Sequence, residues 1–159
     1  MDTLTFSVDA AAPASMVWEI WSDLESSTQW DTDVANCQLE GDFTPGTHGI
    51  CKLKNGLQMS IIVEDMVVGH SWCNSARLLG ANLYFNHWVE AITPQYCRIT
   101  HQANVSQVSP WLWRKLITAL LRPALANALN NLAKLAEQRT KDTKPKSMTY
   151  SSGGTTHSA

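Results

Sequence analysis

Leu4, Phe6 and Val8 alternate with Thr5, Ser7 and Asp9, the two-residue period of a strand with one buried face. Pro13 then stands at a helix start, and Met16 to Trp21 carries a helical apolar face. A second short helix fits Leu24 to Trp30. Strand patterning returns at 34–40 and 47–54, separated by the turn residues Thr44-Pro45-Gly46-Thr47. Asn55-Gly56 predicts a type I′ hairpin leading into a strand at about 57–65. Further strands are predicted at 70–78, 82–92 and 96–106. Ser109 and Pro110 next supply a cap oxygen and a tolerated first helical position. Apolar residues from Trp113 through Leu116, Ile117, Leu120 and Leu125 to Leu135 recur at helical spacing, to about residue 138. Pro123 lies inside that run and predicts a kink near Leu120.

The order is strand, helix pair, six antiparallel strands, long helix. This α+β pattern predicts a curved antiparallel seven-stranded sheet wrapped around the last helix. Space the helix does not fill becomes a cavity. Residues 1–139 form the domain, and 140–159, polar and rich in Lys, Ser, Thr and Gly, are expected to be a disordered tail.

Parity assigns the inner face. On 82–92 the odd residues Leu83, Phe85, His87, Val89 and Ala91 are the apolar set; on 96–106 they are Cys97, Ile99, His101, Ala103 and Val105. A three-residue loop Thr93-Pro94-Gln95 places 92 opposite 96 and therefore His87 opposite His101. Directly opposed side chains have Cβ atoms about 4.5–5.5 Å apart. A two-residue turn at Leu79-Gly80 likewise puts Trp72 opposite His87 and Asn74 opposite Phe85; a three-residue turn would instead turn Cys73 and Ser75 inward. If Lys54 pairs with Leu57 across the Asn55-Gly56 turn, His48, Ile50, Lys52, Met59, Ile61 and Val63 share the inner face. Lys52 then stands at the pocket or snorkels to its mouth.

Composition narrows the function classes. Only 16% of the 159 residues are charged, against about 25% in typical soluble domains, which suits a large apolar interior. The net charge of −2 gives no basic character to recruit nucleic acid. Charge is uneven: residues 1–109 carry 12 acids and 4 bases, residues 110–159 carry 2 acids and 8 bases. A basic last helix complements its own dipole and an acidic sheet, or meets an acidic surface or membrane. Trp111-Leu112-Trp113-Arg114-Lys115-Leu116 is correspondingly a pocket lid or a membrane contact. No apolar stretch reaches the 18 residues of a membrane span. Cys37, Cys51, Cys73 and Cys97 have no metal spacing and are expected to be reduced, mostly buried thiols in a cytoplasmic protein. The strand-like opening residues lead to the expectation of no secretory leader, and no nucleophile elbow or phosphate loop motif is seen. A metal site would want a third ligand beside the two histidines, and only His48, on another strand, is left; neither metal nor cofactor is expected.

Phe6-x-Val8, Pro13, Val17-Trp18, Asp23 and Trp30 resemble the first third of the START-like (SRPBCC) helix-grip domains. Gly41 with Pro45-Gly46-Thr47, then Phe85-Asn86-His87, Ile99-Thr100-His101 and the long C-terminal helix continue the likeness over about residues 3–138. It is most similar to the polyketide cyclase/dehydrase branch. The resemblance implies a deep apolar pocket between sheet and last helix; members include cyclases, dehydratases, lipid carriers, hormone receptors and chaperone cofactors.

Two opposed histidines on an apolar wall cannot both be cationic, because like charges repel and burial disfavours the cation. A neutral ring accepts a proton as its neighbour donates a hydrogen bond, which suits enolisation, aldol closure or dehydration. His87 and His101 are the candidate catalytic pair. Trp72, Asn74, Phe85, Lys52, Met59, Ile61, Val89, Ile99, Trp113, Leu116, Ile117 and Leu120 are the candidate wall for a small hydrophobic or aromatic ligand. Two functions follow: a cofactor-independent cyclase, dehydratase or isomerase, or a non-catalytic carrier or receptor for a lipid or other hydrophobic ligand. A third, a protein-interaction module, would use an exposed Trp88 and the basic tail; Trp88, outward by parity, also offers a homodimer contact.

Overall fold

The computed structural model describes residues 2–78, 80–106 and 111–143, without the side chains of Asp2 and of 111–114. Its strands are β1 (Asp2–Ala10), β2 (Val34–Leu39), β3 (His48–Leu53), β4 (Gln58–Val67), β5 (Ser71–Leu78), β6 (Ala81–Thr93) and β7 (Tyr96–Ser106). Helix α1 (Ala14–Ser22) and a 3-10 helix (Leu24–Gln29) follow β1, and α2 (Trp111–Thr143) closes the fold. The strands form one antiparallel sheet ordered β1-β7-β6-β5-β4-β3-β2. This is the helix-grip architecture.

Helix α2 rests chiefly on β1 and β7, with smaller contacts to α1 and the 3-10 helix. The far half of the sheet therefore curls away from it and leaves a hollow. Leu129, Leu132, Ala133 and Ala136 of α2 are buried against the apolar core, as are Val17, Ile20 and Trp21 of α1. The convex face is polar: Thr3 bonds Asn104, Gln102 bonds Thr5, and Arg98 pairs with Asp9. This alternation of buried and wet residues is what fixes each strand's register.

Register decides the site. On β5 and β6 the ladder pairs Leu78 with Ala81, Trp72 with His87 and Asn74 with Phe85, as the two-residue turn requires. On β6 and β7 His87 pairs with His101. The β6–β7 connection itself differs from the expected three-residue loop. Thr93 pairs with Tyr96 across Pro94-Gln95, and an irregularity between Ala91 and Thr93 inserts one residue. That bulge shifts the register by one and restores the pairing of Ala91 with Cys97.

The β3–β4 hairpin departs from the sequence expectation. Leu53 N donates to Leu57 O and Gly56 N to Leu53 O, with Gly56 at φ +87°. Three residues, not two, form the loop, with the glycine in the left-handed region that this loop length demands. The register slips by one: Cys51 pairs with Met59 and Gly49 with Ile61. A one-residue slip moves every side chain to the other face. His48, Ile50 and Lys52 accordingly face solvent, whereas Gly49, Cys51 and Leu53 join Met59, Ile61 and Val63 inside. Lys52 is no pocket residue.

Gly49 is required by packing. A Cβ there would lie 2.6 Å from Gln38 O and 2.8 Å from Leu39 Cδ2, and a backbone oxygen in a paired strand has little room to move. Gly49→Ala is expected to lower stability by roughly 2 kcal/mol, the scale of core overpacking, read as a drop in urea midpoint with an unchanged slope.

Two further expectations meet the structure. Helix α2 runs as one element with Pro123 inside it and continues to Thr143, past its expected end near residue 138; most of the expected tail, like the Ser109-Pro110 start, lies outside the described residues. Cys37 and Cys51 are not reduced thiols. They oppose one another on β2 and β3 with Cα atoms 4.1 Å apart and form a disulfide. Cys73 and Cys97 are free, and burial pushes the Cys97 thiol up to about 11, which leaves it protonated and unreactive.

Candidate functional site

A cavity of about 580 Å³ opens between the first half of α2, the 3-10 helix and strands β2 to β7. Alternation on the paired strands aims Trp72, Asn74, Phe85, His87 and His101 into it, with Met59 and Ile61 from β4 and Ile117 and Leu120 from α2. Val89 and Ile99, expected in the wall, do share the inner face but are fully packed in the core and do not line the cavity. Their strand positions lie beyond the histidines, toward the end of the sheet packed against helices. Leu116, also expected there, is 47% exposed and does not line the cavity. It precedes Ile117 by one position, and a helix turns about 100° per residue. The side chain of Trp113 lies outside the described residues. Trp88 is half-buried on the outer side.

The two imidazoles meet edge to face, ring centres 4.6 Å apart and planes 81° apart. Trp72 stacks on His87 at 4.1 Å and 8°. Trp21 approaches both rings from α1, at 6.0 Å and 5.9 Å, and Trp30 approaches His101 at 6.0 Å. Phe43 closes over Trp72 at 5.1 Å. These contacts leave His87 and His101 buried. Burial holds His101 down at about 3. Burial, with the neighbouring His101, holds His87 well below the ordinary imidazole value; a backbone hydrogen bond with Trp72 acts the other way. Both rings are neutral at pH 7, each with one donor and one acceptor nitrogen.

His87 Nδ1 and His101 Nε2 have no hydrogen-bond partner in the protein. Nor do the buried Trp72 Nε1, Trp30 Nε1 and Ser27 Oγ, and all five residues line the cavity. Buried polar atoms are normally paired. The remaining unpartnered buried side-chain atom among the described residues, Trp21 Nε1, belongs to a residue that does not line the cavity. Among the described residues no three His, Cys, Asp or Glu side chains are grouped to hold a metal ion, and no helix is long and apolar enough to cross a membrane.

Several wall residues carry no periodic signal. Ser27, Trp30, Asp31 and Asp33 come from the 3-10 helix and the turn after it, and Lys54, Asn55 and Leu57 from the β3–β4 loop. Asp31 has a raised proton affinity. Burial pushes it up to about 6, against the lowering effects of the Asp33 and Val34 backbone and of Lys54.

A profile of the family described as "Polyketide cyclase / dehydrase and lipid transport" matches residues 1–137. Among solved structures the chain is similar to the Zhui aromatase/cyclase from a Streptomyces species, with 13% identity over 87% of this chain and 94% of that one, at a TM-score of 0.73. A protein from Thermobifida fusca shares 23% identity over 87% and 95% of the two chains, at a TM-score of 0.70. A norcoclaurine synthase from a Thalictrum species shares 14% over 87% and 95%, at 0.68. No curated protein matches in sequence.

Proposed function

Because the chain belongs to the polyketide cyclase/dehydrase and lipid transport family, within the START-like superfamily, we propose that its cavity binds an oxygenated aromatic or polyketide-like metabolite and promotes its cyclisation or dehydration. The observation that carries this is the neutral His87–His101 pair, with one unpartnered nitrogen on each ring, in the wall of an otherwise apolar hollow. Folding a flexible chain inside a fitted cavity supplies the entropic part of the rate enhancement. The N–H of one imidazole hydrogen-bonds a substrate carbonyl oxygen. The lone pair of the other takes a proton from the carbon next to that carbonyl. In a dehydration the proton then passes to the departing hydroxyl, a C–O bond breaks, a C=C bond forms and water leaves. The burial that keeps both rings neutral also makes any imidazolium a strong acid that gives its proton up at once.

One observation favours a second reading, a carrier or receptor. A base held near 3 captures protons poorly, and a neutral imidazole serves equally as a hydrogen-bonding group for a ligand that leaves unchanged. Conversion of a linear β-polyketone to aromatic product, above its spontaneous rate, separates the two. His87→Ala and His101→Ala are each expected to lower that rate about 100-fold, within the usual range for general acid–base groups, in variants that retain the folded circular dichroism spectrum. Unchanged turnover in both variants would falsify the catalytic role. Ligand retained on purification and unaltered over time supports the carrier.

A further inference from the structure

We propose that Ser27, Trp30 and Asp31 form a second polar subsite in the cavity wall, specific for a hydroxyl group of the ligand and adjacent to the histidine pair. This rests on the cavity being the ligand site, as argued above. All three residues line it, and all come from one short stretch with no part in the acid–base pair. Ser27 is 3% and Trp30 5% exposed, and neither Ser27 Oγ nor Trp30 Nε1 has a partner in the protein. Asp31 Oδ1 accepts the Asp33 backbone N–H at 3.1 Å, which orients the carboxyl. The Trp30 ring lies 6.0 Å from that of His101, which places this stretch of wall beside the histidine pair.

The donor and acceptor inventory selects the group. An indole N–H only donates and an ionised carboxylate only accepts. A ligand atom that satisfies both must accept from Trp30 and donate to Asp31. A hydroxyl does so; a carbonyl only accepts and an ammonium only donates. A ligand carboxylate would meet the charges of Asp31 and Asp33, both in the same wall. Ser27 Oγ donates or accepts as the ligand requires. The position of Asp31 in a partly dry wall, seen in its raised proton affinity, makes a bond to its charged form stronger than one in water. The inferred ligand is therefore an apolar ring system with a ketone and a hydroxyl on separate edges.

Calorimetric titration of the full chain with 6-hydroxy-1-tetralone and 1-tetralone tests this. The hydroxyl compound is expected to bind about tenfold more tightly, the scale of one hydrogen bond to a charged group. Trp30→Phe and Asp31→Asn are each expected to bring that ratio near one. Asparagine keeps an acceptor for the Asp33 N–H, so the turn survives. Ser27→Ala loses no bond within the protein, so its melting temperature is expected to hold or rise. A lowered melting temperature with the ratio intact would show that these groups only support the fold. Equal binding of both compounds to the unaltered protein overturns the subsite and leaves the cavity site standing. If neither compound binds, the cavity reading fails and the subsite with it.

Discussion

Acidification from pH 7 to about 4.5 is expected to destabilise the protein by several kcal/mol, with the buried histidines as the cause. Both rings are neutral in the fold, His101 held near 3 and His87 well below the ordinary value of 6.5. The unfolded chain titrates near 6.5, so below that pH it binds protons that the folded state refuses. Stability contributed by the neutral rings is complete above about 6.5 and is lost steadily as pH falls toward the folded values. A ring held at about 3 costs about 1.4 kcal/mol per pH unit, so His101 alone removes roughly 3 kcal/mol over two units, and His87 acts in the same direction. The whole stability of a domain is about 5–15 kcal/mol. Asp31 works in the opposite sense. Its folded value is raised, to about 6, so its contribution is complete below the unfolded value of 3.8 and fades as pH rises through 6. One carboxyl regains part of the loss between 6 and 4 but cannot match two imidazoles. Tryptophan fluorescence against pH measures the midpoint. His101→Gln and His87→Gln, each with one titrating ring fewer, are expected to lower it by several tenths of a pH unit or more. A midpoint that moves in neither variant would assign acid unfolding to other groups.

The largest single loss from a core truncation is expected at Leu132→Ala, about 4 kcal/mol. Leu132 is fully buried on α2, in the packed core beside Leu129 and Ala136. Removing its branched end there opens a new void among side chains that cannot collapse, which adds a cavity cost to the lost transfer energy. Leu125, two turns earlier on the same helix, already borders the existing cavity and is 8% exposed. Leu125→Ala enlarges a hollow that is already present and is expected to cost about half as much. Urea unfolding should show that order, with ligand affinity changed by Leu125→Ala and not by Leu132→Ala. The reverse order would mean that the two ends of α2 do not divide into packing and lining.

Much of the fold was legible because its signals are local. The period of two along β6 and β7 led to His87 beside His101, and of the two turn lengths the sequence allowed at Gly80 the shorter places Trp72 beside His87. Even there the Pro94-Gln95 turn reached the expected ladder by way of a bulge. The β3–β4 hairpin shows how little separates success from failure. Asn-Gly suits a two-residue turn, but this chain places the glycine third, at φ +87°, and Lys52 goes to solvent with Cys51 in its place. The disulfide with Cys37 follows from the β2–β3 register, which cysteine spacing alone does not reveal.

What the sequence by itself determined was the order of elements, the inner face of the central strands and the opposition of two imidazoles, since alternation and turn length act over a few residues. The tertiary structure decided how far α2 reaches across the sheet, where the hollow remains, and which irregular residues enter its wall. Ser27 lies on the 3-10 helix and Trp30 and Asp31 just after it, with no repeating pattern. Their meeting with His101, some seventy positions along the chain, exists only because a curved sheet and a short helical turn close on one another. Val89 and Ile99 show the converse: the right face of the right strand is still core, not cavity, wherever a helix packs down upon it.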